Sequence, residues 1–376
     1  MMYGRRVDVL FPLGNQAANP QLLIAAREAL GLTQAELAAR LGELSGNPAK
    51  SNQSYVSRVE KGTLPLIADR LQQFAVALES TPEFLVAEAK MWSLGEGCLY
   101  HRNRRTTKAS TLRRLHAQIN LVRLYLTRLA VAAGTPLPTF AVSPTRVEGV
   151  VGPQTVAAGL RAELGLPDGA IASVTAVAEQ LGALVVPMSL GGREVDATSL
   201  HPPGEPPVFV VNTDAPVDRQ RFTLTHEIAH CVCTPGVGAD AEDMAQRFAA
   251  EFLAPYDQIY PDLAATAVTP ARLLQLKVKW RISAAAVLRR STDLGVITDS
   301  RYRTISAQTS ALGWRTEEPE PLPAETPRLV PAIVRAAVRA AGSVEAAAAA
   351  AGTTPARLTG LFGDAVTDAI PQQDGT

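Results

Sequence analysis

One pentapeptide constrains this chain more than any other feature: His226-Glu227-Ile228-Ala229-His230. It lies within 221–231, a run whose pattern predicts a helix. On a helix, positions i and i+4 share a face, so the two imidazoles point the same way and can hold one zinc ion. Glu227 follows the first imidazole and reaches the fourth, open position, where zinc keeps a water. Zinc lowers the pKa of such a water to about 7, and an adjacent carboxylate can take its proton. The pattern outlines a site for peptide-bond hydrolysis, with Zn2+ as cofactor and Glu227 as base. The chain has 5 His in all, so this spacing rarely arises by chance. The competing reading is a helix with two satisfied histidines on its polar face. A third protein ligand decides between them, because catalytic zinc takes three protein ligands and one water.

The segment 239–255 supplies candidates. Asp240 suits an N-cap, Asp243 a first turn, and Pro255 marks a stop. Apolar residues at 241, 244, 245, 248, 249 and 252 form a stripe of helical period. A short connection, 231–239, folds this helix back on the first. Glu242, near the edge of the stripe, is the favoured third ligand; Glu251 and Asp243 are the other candidates, and each has a plain solvated carboxylate as its alternative.

At this point the residues resemble a family. His226-Glu227-x-x-His230 followed by Glu242-x-x-Ala245-x-x-Phe248-Ala249-x-x-x-Leu253-x-Pro255 is similar to the ImmA/IrrE-type metallopeptidases. The runs Pro207-Val208-Phe209-Val210-Val211-Asn212 and Leu276-Lys277-x-x-Trp280-x-x-Ser283 extend the likeness, which covers about residues 150–315. Gln246 stands where the family often has Asn, and Ala254 where it often has Met. The resemblance implies a gluzincin-like fold, with His226, His230 and Glu242 as zinc ligands and Glu227 as base. It also implies a protein substrate, since known members act on helix-turn-helix repressors.

The N-terminal part has its own pattern. A helix from Asn19-Pro20 to Leu30 is followed by 32–42, where Thr33 and Glu36 predict a capping box and Gly42 a stop. Further helices are expected over 51–62 and 67–78. Leu32-Thr33-Gln34-x-x-Leu37-Ala38 and Val56-Ser57-Arg58-Val59-Glu60-Lys61-Gly62 resemble the XRE-like helix-turn-helix, covering 19–86. Val56 and Val59 are expected to bury the back of the recognition helix, leaving Asn52, Gln53, Ser54, Ser57 and Arg58 on its front. Such residues reach base edges in the major groove of double-stranded DNA, while Gln34 and Arg58 suit phosphates. The family joins these helices tightly, whereas 43–50 is a longer loop here. The competing reading is a helical bundle with no DNA role.

Residues 99–147 contain no Asp or Glu but nine Arg or Lys with helical apolar periodicity, read as a basic linker helix suited to phosphates or to a solvated face. A Pro-containing stretch, 135–153, is expected to separate it from the following domain. Strands are expected over 183–188, 196–200 and 207–212, one of them an edge suited to pairing with substrate backbone. Arg219 and Arg221 are expected to pair with acids on a neighbouring helix. Two helices are expected over 269–297, and 316–376 reads as an Ala-rich helical or disordered tail.

The expected class is α+β, mostly helical. Its domains are 19–86, a helix-turn-helix; 99–147, the basic linker; 150–315, the metallopeptidase; and 316–376, the tail. The net charge of +0 gives no overall signal for nucleic acid, and no apolar run reaches about 18 residues, so no membrane role and a cytoplasmic place are expected. The excess of Arg over Lys and the abundant Ala suggest a bacterial source. Three Cys make no disulfide framework; Cys231 and Cys233 are read as small packed residues rather than further ligands. Two functions fit: a DNA-binding regulator with a zinc endopeptidase that cleaves a repressor or other partner, or a DNA binder whose peptidase fold only senses or binds a partner. A homodimer is compatible with either.

Overall fold

The structure is a computed structural model and describes residues 17–47, 51–66, 68–92, 108–192 and 195–369. In chain order its first elements are α1 (Pro20–Ala29), α2 (Gln34–Ser45), α3 (Gln53–Glu60), α4 (Ala68–Ala77), α5 (Pro82–Leu85) and α6 (Ala109–Ala132). Next come β1 (Thr145–Val147), α7 (Pro153–Glu163), α8 (Val174–Gln180), β2 (Leu184–Met188), β3 (Ala197–Leu200), β4 (Val208–Asn212), α9 (Val217–Val232) and β5 (Cys233–Pro235). The remainder is helical: α10 (Ala241–Leu253), α11 (Tyr256–Ala264), α12 (Pro270–Trp280), α13 (Ala284–Asp293), α14 (Asp299–Ala311), α15 (Leu329–Ala341), α16 (Val344–Ala351), α17 (Pro355–Phe362) and α18 (Asp364–Thr367). The class is α+β, mostly helical. Contacts divide the described chain into two units. One gathers residues of Met1–Met91, Ala109–Thr135 and Val334–Thr376, the other those of Trp92–Lys108 and Pro136–Ile333.

In the first unit, α2 and α3 form the expected helix pair. The capping box at α2 is present: Glu36 N donates to Thr33 Oγ1 at 3.2 Å, and Thr33 N donates to Glu36 Oε2 at 2.7 Å. Val56 and Val59 are buried, as amphipathic spacing requires. Behind them Arg27 pairs with Glu60 at 2.6 Å, both buried.

The basic helix is not a linker. Its described part, α6, packs on α1 and α16 and buries Leu115, Ile119, Val122, Leu126 and Leu129. Two of its arginines face inward. Arg123 donates to the carbonyl of Lys90 at 2.6 Å, and Arg128 to that of Ala350 at 2.9 Å while lying over the Phe84 ring. The more N-terminal basic residues Arg102, Arg104 and Arg105 lie outside the described residues. The tail expectation also needs correcting. Residues 316–333 belong to the second unit, and α16 to α18 complete the core of the first. Ala347, Ala348 and Ala351 are wholly buried; their small side chains let α16 approach α6 closely. Gly352 ends α16 at φ +91, and a Cβ there would fall 2.3 Å from Phe84. Ser80 closes the contact by donating to the Gly352 carbonyl at 2.9 Å. The disorder expected at the extreme end lies outside the described residues.

In the second unit, the three expected strands form one sheet in the order β2-β4-β3. β2 runs parallel to β4, pairing Val185 with Phe209; β3 runs antiparallel, pairing Ser199 with Phe209. So β2 and β3 are both edges, although every residue of β3 is buried. α9 packs on this sheet and α10 packs back on α9. The stretch expected to separate domains instead belongs to this unit: β1 pairs parallel with β5, directly after α9.

Candidate metal centre and nucleic-acid face

α9 carries His226 and His230 one turn apart, with their Nε2 atoms 3.1 Å from each other. β5 and a short loop then reverse the chain into α10. Asp240 caps that helix, accepting from Glu242 N at 2.9 Å, and so fixes the first turn that bears Glu242. The Glu242 carboxylate lies 3.3 Å from His226 Nε2 and 3.9 Å from His230 Nε2. Among the described residues these three form the cluster able to hold a metal, their donor atoms all within 4.8 Å. Zinc bonds of about 2.1 Å at tetrahedral angles place donor atoms about 3.4 Å apart. The observed separations bracket that value, so the donor set fits zinc. Burial, with the neighbouring His226 and His201, pushes His230 down to about 2, so its imidazole is neutral, as a ligand must be.

The other two candidate ligands are engaged elsewhere. Glu251 pairs with Arg290 and accepts from Tyr256 N at 2.9 Å, while Asp243 pairs with Arg247 at 2.6 Å on the exposed side of α10.

Glu227, the residue after His226, is 1% exposed. Burial pushes its carboxyl up to about 8; Glu242 adds to the rise, and a hydrogen bond donated by Ser199 of β3 opposes it. Ser199 and His201 are the residues that sequence reasoning missed. His201 lies against Cys231 Sγ at 3.4 Å and meets Phe209 edge-on, and burial holds it down near about 4. Ser199 was visible only as a strand residue; its contact with Glu227 spans 28 positions and leaves no local signal. Cys231 and Cys233 are buried outside the cluster, and burial raises Cys233 to about 12.

The two arginines ahead of the cluster do pair with acids, but not on a neighbouring helix. Arg219 meets Asp196, before β3, at 2.7 Å. Arg221 meets Glu325 in the α14–α15 connection and donates to the carbonyls of Ile171 and Arg281 at 2.7 and 2.9 Å.

On the first unit, Asn52, Gln53, Ser54 and Arg58 are exposed along α3 and Ser57 is half-buried. Asn52 serves as N-cap, its Oδ1 accepting from Tyr55 N at 2.8 Å. Gln53 donates to Gln34 Oε1 at 2.7 Å, and Gln34 donates to Glu60 Oε2 at 2.8 Å. The chain Gln53–Gln34–Glu60–Arg27 thus ties the exposed front of α3 to a buried ion pair. The long loop after α2 falls partly outside the described residues, at 48–50.

Comparison with known families agrees with this division. Residues 23–85 match the helix-turn-helix model, and residues 178–292 match the model of the IrrE N-terminal-like domain of the M78 peptidases. The chain carries a helix-turn-helix domain and an IrrE N-terminal-like domain. No curated protein gives a match. The IrrE N-terminal-like match begins in α8 and ends in α13, so it contains β2, β3, β4, the whole ligand cluster and Glu227. The helix-turn-helix match runs from α1 to the end of α5, without α6 or α16. No helix of the described residues is long and apolar enough to cross a membrane.

Proposed function

We propose that this chain is a DNA-binding regulator whose IrrE N-terminal-like domain is a zinc-dependent endopeptidase acting on a repressor or another partner protein. The observation that carries the reading is the convergence of His226, His230 and Glu242 on one point, with Glu227 buried beside it. The three would hold the metal, which supplies a polarised carbonyl and an acidified water when bound. Glu227 accepts the proton of the attacking water and hands it to the leaving amine. For this it must be ionised. A carboxyl pushed up to about 8 is mostly protonated at pH 7, and a metal ion held by the three ligands would favour its carboxylate form by its positive charge. Ser199 keeps one carboxylate oxygen in place by donating to it.

The exposure of Gln53, Ser54 and Arg58 on α3 supports them as the side chains that meet DNA, with Gln34 orienting Gln53. The test uses Glu227→Gln as a trap: it should retain zinc and partner, and the captured partner should be cut by the native chain but not by the variant. A captured partner that Glu227→Gln cuts at the native rate would remove Glu227 as base. No cleavage by zinc-loaded native chain would leave the domain a binding module.

A further inference from the structure

The connection between α14 and α15 is acidic and rich in proline: Trp314-Arg315-Thr316-Glu317-Glu318-Pro319-Glu320-Pro321-Leu322-Pro323-Ala324-Glu325-Thr326-Pro327. Its prolines lack a donor N–H and hold φ near −65°, so the segment neither winds into a helix nor joins a sheet. None of residues 319–324 is buried. The segment is nevertheless fastened at two points. Glu318 accepts from Lys277 Nζ at 3.0 Å and from the N–H groups of Ala284 and Ala285, at the start of α13, at 2.8 and 3.1 Å. Glu325 pairs with Arg221 and accepts from Thr175 N at 2.7 Å and Ser173 Oγ at 3.0 Å, at the start of α8. Each carboxylate therefore meets both a buried cation and a helix N-terminus, where the dipole favours negative charge. Just past the second anchor, Arg328 N and Leu329 N donate to Glu179 at 2.8 and 2.7 Å, fixing the start of α15.

Both anchors lead to the same helix. Arg221 lies on α9, five positions before His226. Lys277 also holds Asp218, in the first turn of α9, at 2.7 Å. The side chains of Arg221 and Lys277 are 3% and 2% exposed, so losing a partner leaves a buried charge uncompensated. Between the anchors the chain is bent at a cost: Glu320 holds φ 55 and precedes a proline, a conformation unfavourable for a residue with a side chain. The segment also walls a cleft of about 2150 Å3, lined on α9 by Asp218, Arg219 and Phe222.

We propose that residues 314–327 are a releasable strap that holds the first turns of the ligand-bearing helix, so that fastening the strap and binding the metal are linked. The strap contacts stand on their own; the link to metal rests on His226, His230 and Glu242 forming the metal site. Linkage is reciprocal. Zinc should slow opening of the strap, and unfastening the strap should weaken zinc.

Hydrogen exchange and zinc titration against a chelator, both on the full chain, test this. In Glu325→Gln, amides 174–176 and 217–224 should exchange about 10-fold faster with α10 unchanged, and zinc affinity should fall about 10-fold. Glu318→Gln should loosen 284–286 and 217–219. In the native chain, added zinc should slow exchange at Thr175. Native exchange at 217–224 in both variants would overturn the strap, as would simultaneous loosening of the whole unit. Faster exchange with unchanged zinc affinity would overturn the link. A native chain that takes up no zinc would refute the metal reading and the link together, while the exchange pattern would still decide the strap. Should Glu325→Gln fail to fold, Pro321→Gly with Pro323→Gly slackens the strap without removing a charge and should give the same pattern.

Discussion

At the scale of single residues, Glu227 and its neighbours divide binding from chemistry. Glu227→Gln preserves shape and all three ligands, so zinc uptake should be native while cleavage of a partner falls by about 10²–10⁴, the range general-base catalysis contributes. Ser199→Ala should likewise leave zinc uptake native and lower the cleavage rate by less than Glu227→Gln, because it loosens the base without removing it. Glu325 yields a pH prediction. Burial alone would raise its pKa, but the Arg221 charge and donors at Thr175 hold it below the usual carboxylate range. A depressed folded-state pKa stabilises above the unfolded value and is lost as pH falls through the folded one. Acid unfolding of the native chain should thus carry a contribution below about pH 4.5 that Glu325→Gln lacks; superimposable acid limbs would contradict it. What was legible here follows from locality. The i, i+4 imidazoles and the adjacent carboxylate are read from spacing alone. Glu242 is favoured over Glu251 and Asp243 in the sequence by its place at the edge of the stripe and by the family resemblance; what spacing does not display is Arg290, 39 positions further on, engaging Glu251.

At the scale of elements, caps and small residues set the outcome. Thr33→Ala removes the acceptor for Glu36 N and should cost about 1 kcal/mol, seen as a shift of the denaturation midpoint at unchanged slope. Gly352→Ala forces a side chain into the left-handed region and against Phe84, so it should cost at least about 1–2 kcal/mol; an unshifted melting temperature would show that α16 is not packed on α5 and α6 as described. These sites also show where pattern reading reaches its limit. The strands and the two central helices are visible because alternation and helical period report burial directly. α6 misleads because a stretch without acids reads as a surface, yet Arg123 and Arg128 are satisfied by backbone carbonyls, which no residue pattern displays. α16 misleads in the opposite direction: Ala is too small to register as an apolar stripe, yet that smallness permits the close approach.

At the scale of the whole molecule, the first unit is assembled from three separated stretches of chain, so its limits are invisible to any reading of contiguous sequence. Its proposed task predicts duplex binding that weakens steeply with salt. Arg58→Ala should lower the salt slope by about one, whereas Gln53→Ala should relax sequence preference. Gln34→Ala should mimic Gln53→Ala, because Gln34 holds the Gln53 amide; selective loss in one without the other would separate the pair. On the proposed reading, tethering to DNA would raise the effective concentration of the peptidase near a DNA-bound target, so operator DNA should speed cleavage by the native chain but not by a chain carrying Gln53→Ala with Arg58→Ala, exposed positions whose loss leaves the core of the first unit intact. The peptidase reading depends on the cluster of His226, His230 and Glu242 being a metal centre. The most direct measurement is the metal content of the purified chain by mass spectrometry, alongside His230→Ala and Glu242→Ala. The account predicts about one zinc per native chain, lost in His230→Ala and weakened in Glu242→Ala. A native chain that neither carries nor takes up zinc would contradict it.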